Sequence, residues 1–171
     1  MACALTSGYS LDCRDSAGGI KSVYFIEIDN VSGTTSSAGV ITVIGKANGK
    51  RFWKYNLQRA TASASEDFND SAENGTSFQR QTLTIILNKM QATTRNEIAL
   101  LAQNRLLAVI EDRNGKYWLY GKENGLQREG GSAATGTAMG DRNGYELIFT
   151  GDEKDMALEV QSSVIAGLET P

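Results

Sequence analysis

The sequence predicts a mainly β fold: an antiparallel β-sandwich or partly closed barrel with one flanking α-helix and a long hairpin loop. Asn-Gly, the pair preferred in tight type I′ hairpin turns, occurs five times. These pairs begin at Asn48, Asn74, Asn114, Asn124 and Asn143. Glycine is abundant, at 18 residues, and the one proline is the last residue. Between the turns lie short runs rich in β-branched and aromatic residues, which favour strands.

The first half of the chain is predicted to form three strands. Residues 21–29 and 40–44 are rich in Val, Ile, Tyr and Phe, whereas the Ser/Thr/Gly segment 32–37 is expected to be a loop. Asn48-Gly49 is expected to turn the second strand into a third at residues 51–59. There Trp53 and Tyr55 alternate with polar residues, as in a half-exposed antiparallel strand.

A long hairpin is predicted next. Residues 60–75 are small, polar and acidic, with too few apolar side chains to pack by themselves, and we expect an extended acidic loop there. Residues 76–87 alternate polar and apolar side chains again and predict the returning strand. The hairpin is longer than a compact domain requires.

The second half combines one helix with two further hairpins. A helix is predicted at residues 95–103, with Ile98 and Leu101 on one face and a capping box formed by Thr94 and Glu97. Residues 105–112 and 116–121 predict a hairpin, residues 145–150 and 156–160 a final strand pair, and residues 130–140 a flexible segment. The prediction is about eight strands and one helix in a single domain, 1–171, with an N-terminal arm at 1–20 and a C-terminal tail at 161–171.

The residue types present argue against catalysis and metal binding. Histidine is absent, which removes the commonest general base and the commonest metal ligand. Three carboxylate groups could serve a glycosidase, but all lie at predicted turns or loops, where acidic side chains are simply solvated. They are Glu66/Asp67 with Asp70, Glu111/Asp112 and Asp152/Glu153. The segments 111–115 and 141–144 lack the ligand spacing of a calcium loop. We therefore predict no enzyme activity, no cofactor and no metal.

Charge, cysteine content and hydropathy narrow the functional class of the protein further. The net charge of −3 and the pI near 5.1 disfavour a dedicated nucleic-acid binder. Cys3 and Cys13 are expected to be buried thiols, although a disulfide between them is the alternative. No signal peptide or membrane span is predicted, so we expect synthesis in the cytoplasm and no membrane anchoring. The aromatics of residues 53–55 and 117–120 are expected mainly in the core, with an exposed partner-binding face as the alternative.

The order of these features resembles the tail tube proteins of tailed phages, to which tube proteins of contractile injection systems are related. The likeness lies in the long hairpin 51–87, the helix 94–103 and the segments 111–121 and 141–150. These are turn-and-strand patterns, and the similarity covers most of residues 20–160.

The resemblance implies a non-enzymatic virion structural protein located in the tail. In that family, six copies close a ring by joining sheets edge to edge, and stacked rings form a tube through which phage DNA passes without specific binding. The implied partners are other copies of this chain and other tail proteins. The implied inter-ring contact residues are those of the acidic loop, Glu66, Asp67, Phe68, Asp70 and Glu73.

Other functions fit the same pattern. A capsid decoration protein, a tail terminator and a head–tail connector are alternatives within phage biology, because these proteins share small β-rich domains. A carbohydrate-binding β-sandwich module is a more remote alternative, which requires an exposed row of aromatic side chains.

Overall fold

The computed structural model describes residues 7–10 and 13–171 and confirms the mainly β sandwich. Two sheets pack face to face, and the described part of the chain contains no closed barrel. It contains eleven strands and two α-helices, α1 (Ala92–Gln103) and α2 (Ser162–Ile165), and a 3-10 turn at Ile28–Asn30. The fold class is therefore as predicted, with more strands than the sequence indicated.

The larger sheet has seven strands. In spatial order they are β2 (Val31–Ser37), β3 (Val40–Lys46), β11 (Leu158–Val160), β8 (Tyr117–Tyr120), β7 (Leu106–Asp112), β1 (Ile20–Glu27) and β4 (Trp53–Asn56). All neighbours in this sheet are antiparallel except β11 and β3, which are parallel. The predicted hairpin around Asn114 is confirmed as β7 and β8.

The smaller sheet has four strands, all antiparallel. Their order is β5 (Ala62–Ser71), β6 (Thr76–Asn88), β10 (Gly144–Glu153) and β9 (Gln127–Ala134). Strands β5 and β9 lie at its two edges, and each has a neighbour on one side only.

The main core lies between the two sheets and beneath α1. Its buried members include Val23, Phe25, Leu83, Ile85, Ile98, Leu101, Ile110, Leu147 and Phe149. Because successive strand residues point to opposite faces, the residues between these in β1 and β7 face away from the smaller sheet. They form a second buried cluster with residues that include Tyr24, Ile26, Leu107, Val109 and Leu168. Burial on both faces explains the nearly continuous apolar runs of β1 and β7.

The C-terminal segment covers this second cluster, which corrects the prediction of a tail at 161–171. Leu168 is buried, and its carbonyl accepts a hydrogen bond from the Phe52 amide at 2.8 Å. Val164 and Ile165 of α2 pack against the same cluster. The sequence signal was weak because α2 has only four residues.

Three segments predicted to be loops are strands. Residues 32–37 belong to β2, residues 62–71 form β5 within the predicted acidic loop 60–75, and residues 130–134 belong to β9. All three are rich in Ser, Gly or acidic residues, which have low strand propensity in isolation. Their backbone hydrogen bonds to an adjacent apolar strand override that propensity.

The turns follow the asparagine–glycine pattern only in part. Gly49, Gly75, Gly115 and Gly125 have positive φ, but no described asparagine has one, so none of these turns is type I′. The fifth pair does not form a turn, because Gly144 begins β10. The one two-residue hairpin with positive φ at both positions is Ala38-Gly39, between β2 and β3.

Three predicted strand pairings are wrong. Strands β3 and β4 lie near opposite edges of the larger sheet, so Asn48-Gly49 does not close a hairpin. Strands β10 and β11 lie in different sheets. Strands β4 and β6, expected to flank the acidic loop in the long hairpin 51–87, also lie in different sheets, because residues 62–71 form β5 and pair with β6 themselves. In each case the strand has a partner that local turn signals do not indicate.

Helix α1 confirms the predicted helix but begins earlier. It starts at Ala92 after an N-cap at Gln91, and no side chain caps it, so the capping box of Thr94 and Glu97 is wrong. Ile98 and Leu101 are buried as predicted.

The N-terminal arm is described only in part. Residues 13–19 form no strand, and the Asn114 side-chain oxygen accepts a hydrogen bond from the Ala17 amide at 2.7 Å. Cys13 is exposed, contrary to the predicted buried thiol, because it precedes the packed strands. Cys3 lies outside the described residues.

Candidate functional site

The outer face of the four-stranded sheet is covered by no other layer of the described chain, and its side chains are mostly small and polar. The residues that point outward alternate with the buried core residues of β6 and β10. They include Ser63, Ser65 and Asp67 of β5, Thr82, Thr84 and Ile86 of β6, Glu146, Ile148, Thr150 and Asp152 of β10, and Glu129 of β9. Hydroxyl and carboxylate groups therefore dominate this open face.

Carboxylates outnumber guanidinium groups among these outward residues. Arg80 donates to both oxygens of Asp152, at 2.9 and 3.3 Å, across the β6–β10 pair. This hydrogen bond and the charge of Asp152 raise the pKa of Arg80, and the charges of Glu129 and Asp67 raise it further. Glu129 accepts a hydrogen bond from the Thr150 hydroxyl at 2.7 Å. The centre of the face thus holds three carboxylates together with Arg80, and Arg128 lines the same depression.

Both edges of this sheet are unpaired within the described chain. All ten residues of β5 pair with β6, and its other side is open. Strand β9 pairs only with β10, with a bulge beside Ile148 and Phe149. Because the four strands alternate in direction, the two free edges run antiparallel to each other. Open edges of this length are where β-proteins add further strands.

The β5–β6 hairpin projects beyond the rest of its sheet. The last row shared with β10 joins Phe68, Gln79 and Glu153. Pairing of β5 with β6 continues for three more rows, as far as Ser71 and Thr76. Phe68 is 62% exposed and Phe78 is 38% exposed, on opposite faces of this projecting part.

The five predicted contact residues fall into two groups. Asp67, Phe68, Asp70 and Glu73 are exposed on the hairpin. Glu66 instead points inward, where one of its carboxylate oxygens accepts hydrogen bonds from the Gln81 amide and the Ala157 backbone, both at 2.8 Å. Gln81 is buried and accepts from the Gly121 amide at 2.8 Å. Glu66 therefore anchors the hairpin to the domain, and its carboxylate is not a free contact group.

The other candidate carboxylates also accept internal hydrogen bonds. Glu153 is buried and accepts from the backbone amides of Glu123 and Asn124, each at 3.0 Å. Asp112 accepts from two amides of the β7–β8 turn. Asp141 accepts from the amides of Ala138 and Thr137, which lower the pKa of its carboxyl.

Glu111 forms the most buried ion pair, on the face of β7 opposite the smaller sheet's core. Burial opposes its charge, but hydrogen bonds from Lys21, at 2.6 Å, and Ser22 lower its pKa overall. The same pair raises the pKa of Lys21. Each partner thus stabilises the charged form of the other, as in a structural ion pair.

The aromatic side chains do not form an exposed row. Tyr55 packs edge-on against Phe25, with ring centroids 5.3 Å apart, and burial raises its pKa to about 12. Burial also raises the pKa of Tyr120 to about 12. Trp53, which was expected mainly in the core, is instead 54% exposed, with the Arg51 guanidinium 4.1 Å from its ring centroid.

The part of the chain that the structure describes contains no group of three or more Cys, Asp or Glu side chains placed to hold a metal ion. None of its helices is long and apolar enough to cross a membrane. No protein-family model, curated protein or solved structure matches the chain significantly.

The open face was not predicted as a site, although the sequence contains a signal for it. Thr82 and Thr84 alternate with the buried Leu83 and Ile85, and this period of two distinguishes an outward polar row from the core row. Strand β9 contains no such signal, because its Gly-Gly-Ser-Ala-Ala run predicts a flexible segment.

Proposed function

We propose that this chain is a virion structural subunit that assembles with copies of itself into stacked rings, which form the tail tube of a phage. The observation that carries the proposal is the four-stranded sheet with two free edges and an open polar face. A lone domain has no use for two long open edges, and ring closure removes both.

The strand directions suit closure by simple rotation. Under cyclic symmetry, with the axis roughly along the strands, every copy keeps the same strand direction. The free edges β5 and β9 run in opposite directions, so β5 of one copy meets β9 of the next as an antiparallel pair. A sheet with an odd number of alternating strands would bring two parallel edges together.

The size of such a ring fits a channel. Six copies, the number implied by the resemblance, contribute 24 strands from this four-stranded sheet. At about 4.8 Å per strand and a tilt of about 40°, the backbone barrel is roughly 50 Å across. Because the core side of each sheet packs against its own larger sheet, the open polar face lines the interior.

The chemistry of this face suits DNA that passes without binding. Its carboxylates repel phosphate groups, and its Ser and Thr hydroxyls remain hydrated. A protein that retains DNA instead presents Lys and Arg to the backbone phosphates. The proposed location is the virion tail, with other tail proteins as partners at the two ends of the tube.

Negative-stain microscopy together with size-exclusion chromatography tests the proposal. We expect six-fold rings with a central hole, or tubes built from them, at high protein concentration. A protein that stays monomeric under these conditions would contradict it. Solid spheres or caps without a channel would instead favour the alternative of a capsid decoration protein.

A further inference from the structure

A groove of about 650 Å³ lies between helix α1 and the edge strand β4. Leu100 and Leu101 of α1 line one side, and Trp53, Tyr55 and Phe25 line the other. Leu100 is 53% exposed and Trp53 is 54% exposed. An open groove with large apolar side chains on both walls is typical of a surface that a partner covers.

The β4 side of this groove is basic. Residues 46–54 contain four cationic side chains and no acidic one, and two of them, Lys50 and Arg51, line the groove. Glu97 on α1 and Glu27 at the end of β1 line the other parts of the groove. An acidic partner is therefore attracted to the β4 side and excluded from the α1 side.

The projecting β5–β6 hairpin has the complementary properties. Residues 60–79 contain four acidic side chains and no basic one. Phe68 stands 62% exposed among them, and Asp70 lies beside it on the same face of the hairpin. An exposed aromatic within an acidic hairpin matches an apolar groove with a basic wall in both size and charge.

The hairpin and the groove lie at opposite ends of the domain. The projecting part of the hairpin begins beside β8 and β11, where Glu66 accepts from the Ala157 amide and its partner Gln81 accepts from the Gly121 amide. The groove lies beside β4, on the side where Asn88 at the other end of β6 is hydrogen-bonded to Gln58, just after β4. A contact between two such unlike surfaces is head-to-tail, and it repeats from copy to copy along an axis.

We propose that the hairpin of one copy inserts Phe68 into the Trp53–Leu100 groove of a second copy. In this contact Asp70, which lies on the same face of the hairpin as Phe68, is on the side of Lys50 and Arg51. The inference rests on the proposed tube, and it names the contact by which each ring holds the next. The edges of β5 and β9 remain free to close the ring.

Site-directed cross-linking tests this contact in the full-length chain. In a background with Cys3→Ser and Cys13→Ser, a Phe68→Cys chain is mixed with a Leu100→Cys chain and oxidised. We expect a disulfide-linked heterodimer. Phe78→Cys is the matched control, since it lies on the opposite face of the same hairpin and should form several-fold less heterodimer with Leu100→Cys. Equal yields from the two pairs overturn the inference.

Solution measurements test the energetics. Sedimentation should show that Phe68→Ser weakens head-to-tail association by about tenfold or more, as expected for loss of a central aromatic anchor, whereas Phe78→Ser leaves it nearly unchanged. Lys50→Glu with Arg51→Glu should weaken it, and Asp70→Lys in the partner chain should restore part of the lost association. If Phe68→Ser and Phe78→Ser behave alike, the groove is not the receptor for Phe68.

The outcomes separate this inference from the proposed function. Rings that form without the selective cross-link support the tube subunit and overturn the hairpin contact. Open chains of copies with the selective cross-link but no rings support the hairpin contact and overturn ring closure. Monomers without a cross-link overturn both.

Discussion

Replacing Glu66 with alanine should destabilise the domain, because this carboxylate joins the hairpin to two other elements. One of its oxygens accepts hydrogen bonds from the Gln81 side chain and the Ala157 backbone, both at 2.8 Å. Gln81 is 2% exposed, so its amide loses a partner that water cannot readily replace. Leaving a buried donor unsatisfied costs about 1–3 kcal/mol, and the partly buried Ala157 amide adds up to about 1 kcal/mol.

The expected loss is therefore about 2–3 kcal/mol in the free energy of unfolding, which corresponds to a decrease of roughly 5–10 °C in Tm. Urea denaturation followed by circular dichroism measures it. Asp67→Ala is the matched control, because the adjacent carboxylate is exposed and its removal should change stability by less than about 0.5 kcal/mol. If Glu66→Ala proves as stable as Asp67→Ala, residues 62–71 are not anchored as the structure places them.

Three further predictions concern other parts of the molecule. The pKa of Glu111 is lowered from its ordinary value of 4.5, so its ion pair stabilises the fold above pH 4.5. The stability difference between wild type and Glu111→Gln should therefore shrink as the pH falls below 4.5, and urea titration at several pH values measures it. A Cβ on Gly144 would clash with the Leu87 carbonyl, so Gly144→Ala should lower the free energy of unfolding by about 1–3 kcal/mol, as measured by thermal denaturation. An unchanged Tm would contradict the close approach of β6 and β10 at this position. Ser65→Lys adds a cation to the open face, so assembled tubes should retain DNA in a salt-dependent manner. Ser36→Lys, an exposed position on β2, is the control. If both variants retain DNA equally, the open face does not line the lumen.

Much of the fold was predictable from local patterns. The β7–β8 hairpin, the buried face of α1 and the apolar strands β1 and β3 follow from periodicity and turn residues, because their main partners are near in sequence or their composition is strongly apolar. Strands β2, β5 and β9 were not predictable. Each is polar or glycine-rich and becomes a strand through pairing with a neighbour.

The candidate site was predictable to a lesser extent. Phe68, Asp67 and Asp70 are exposed on a projecting hairpin, as the acidic composition indicates. Glu66 belongs to the same run, yet the register of β5 against β6 places it opposite the buried Gln81. A shift of one residue would have pointed Glu66 outward, and composition alone cannot fix that register.

By itself the sequence determines a β-rich domain, through its runs of β-branched and aromatic residues and its repeated glycine turns. These properties depend on residue type and near neighbours, which the sequence contains in full. Only the tertiary structure decided that four strands form a separate sheet with two free edges, and that an apolar groove lies at the opposite end from the hairpin. Those features depend on strand pairings across about 55 to 120 residues of chain, where each choice of partner is set by total burial and hydrogen bonding and not by any local signal.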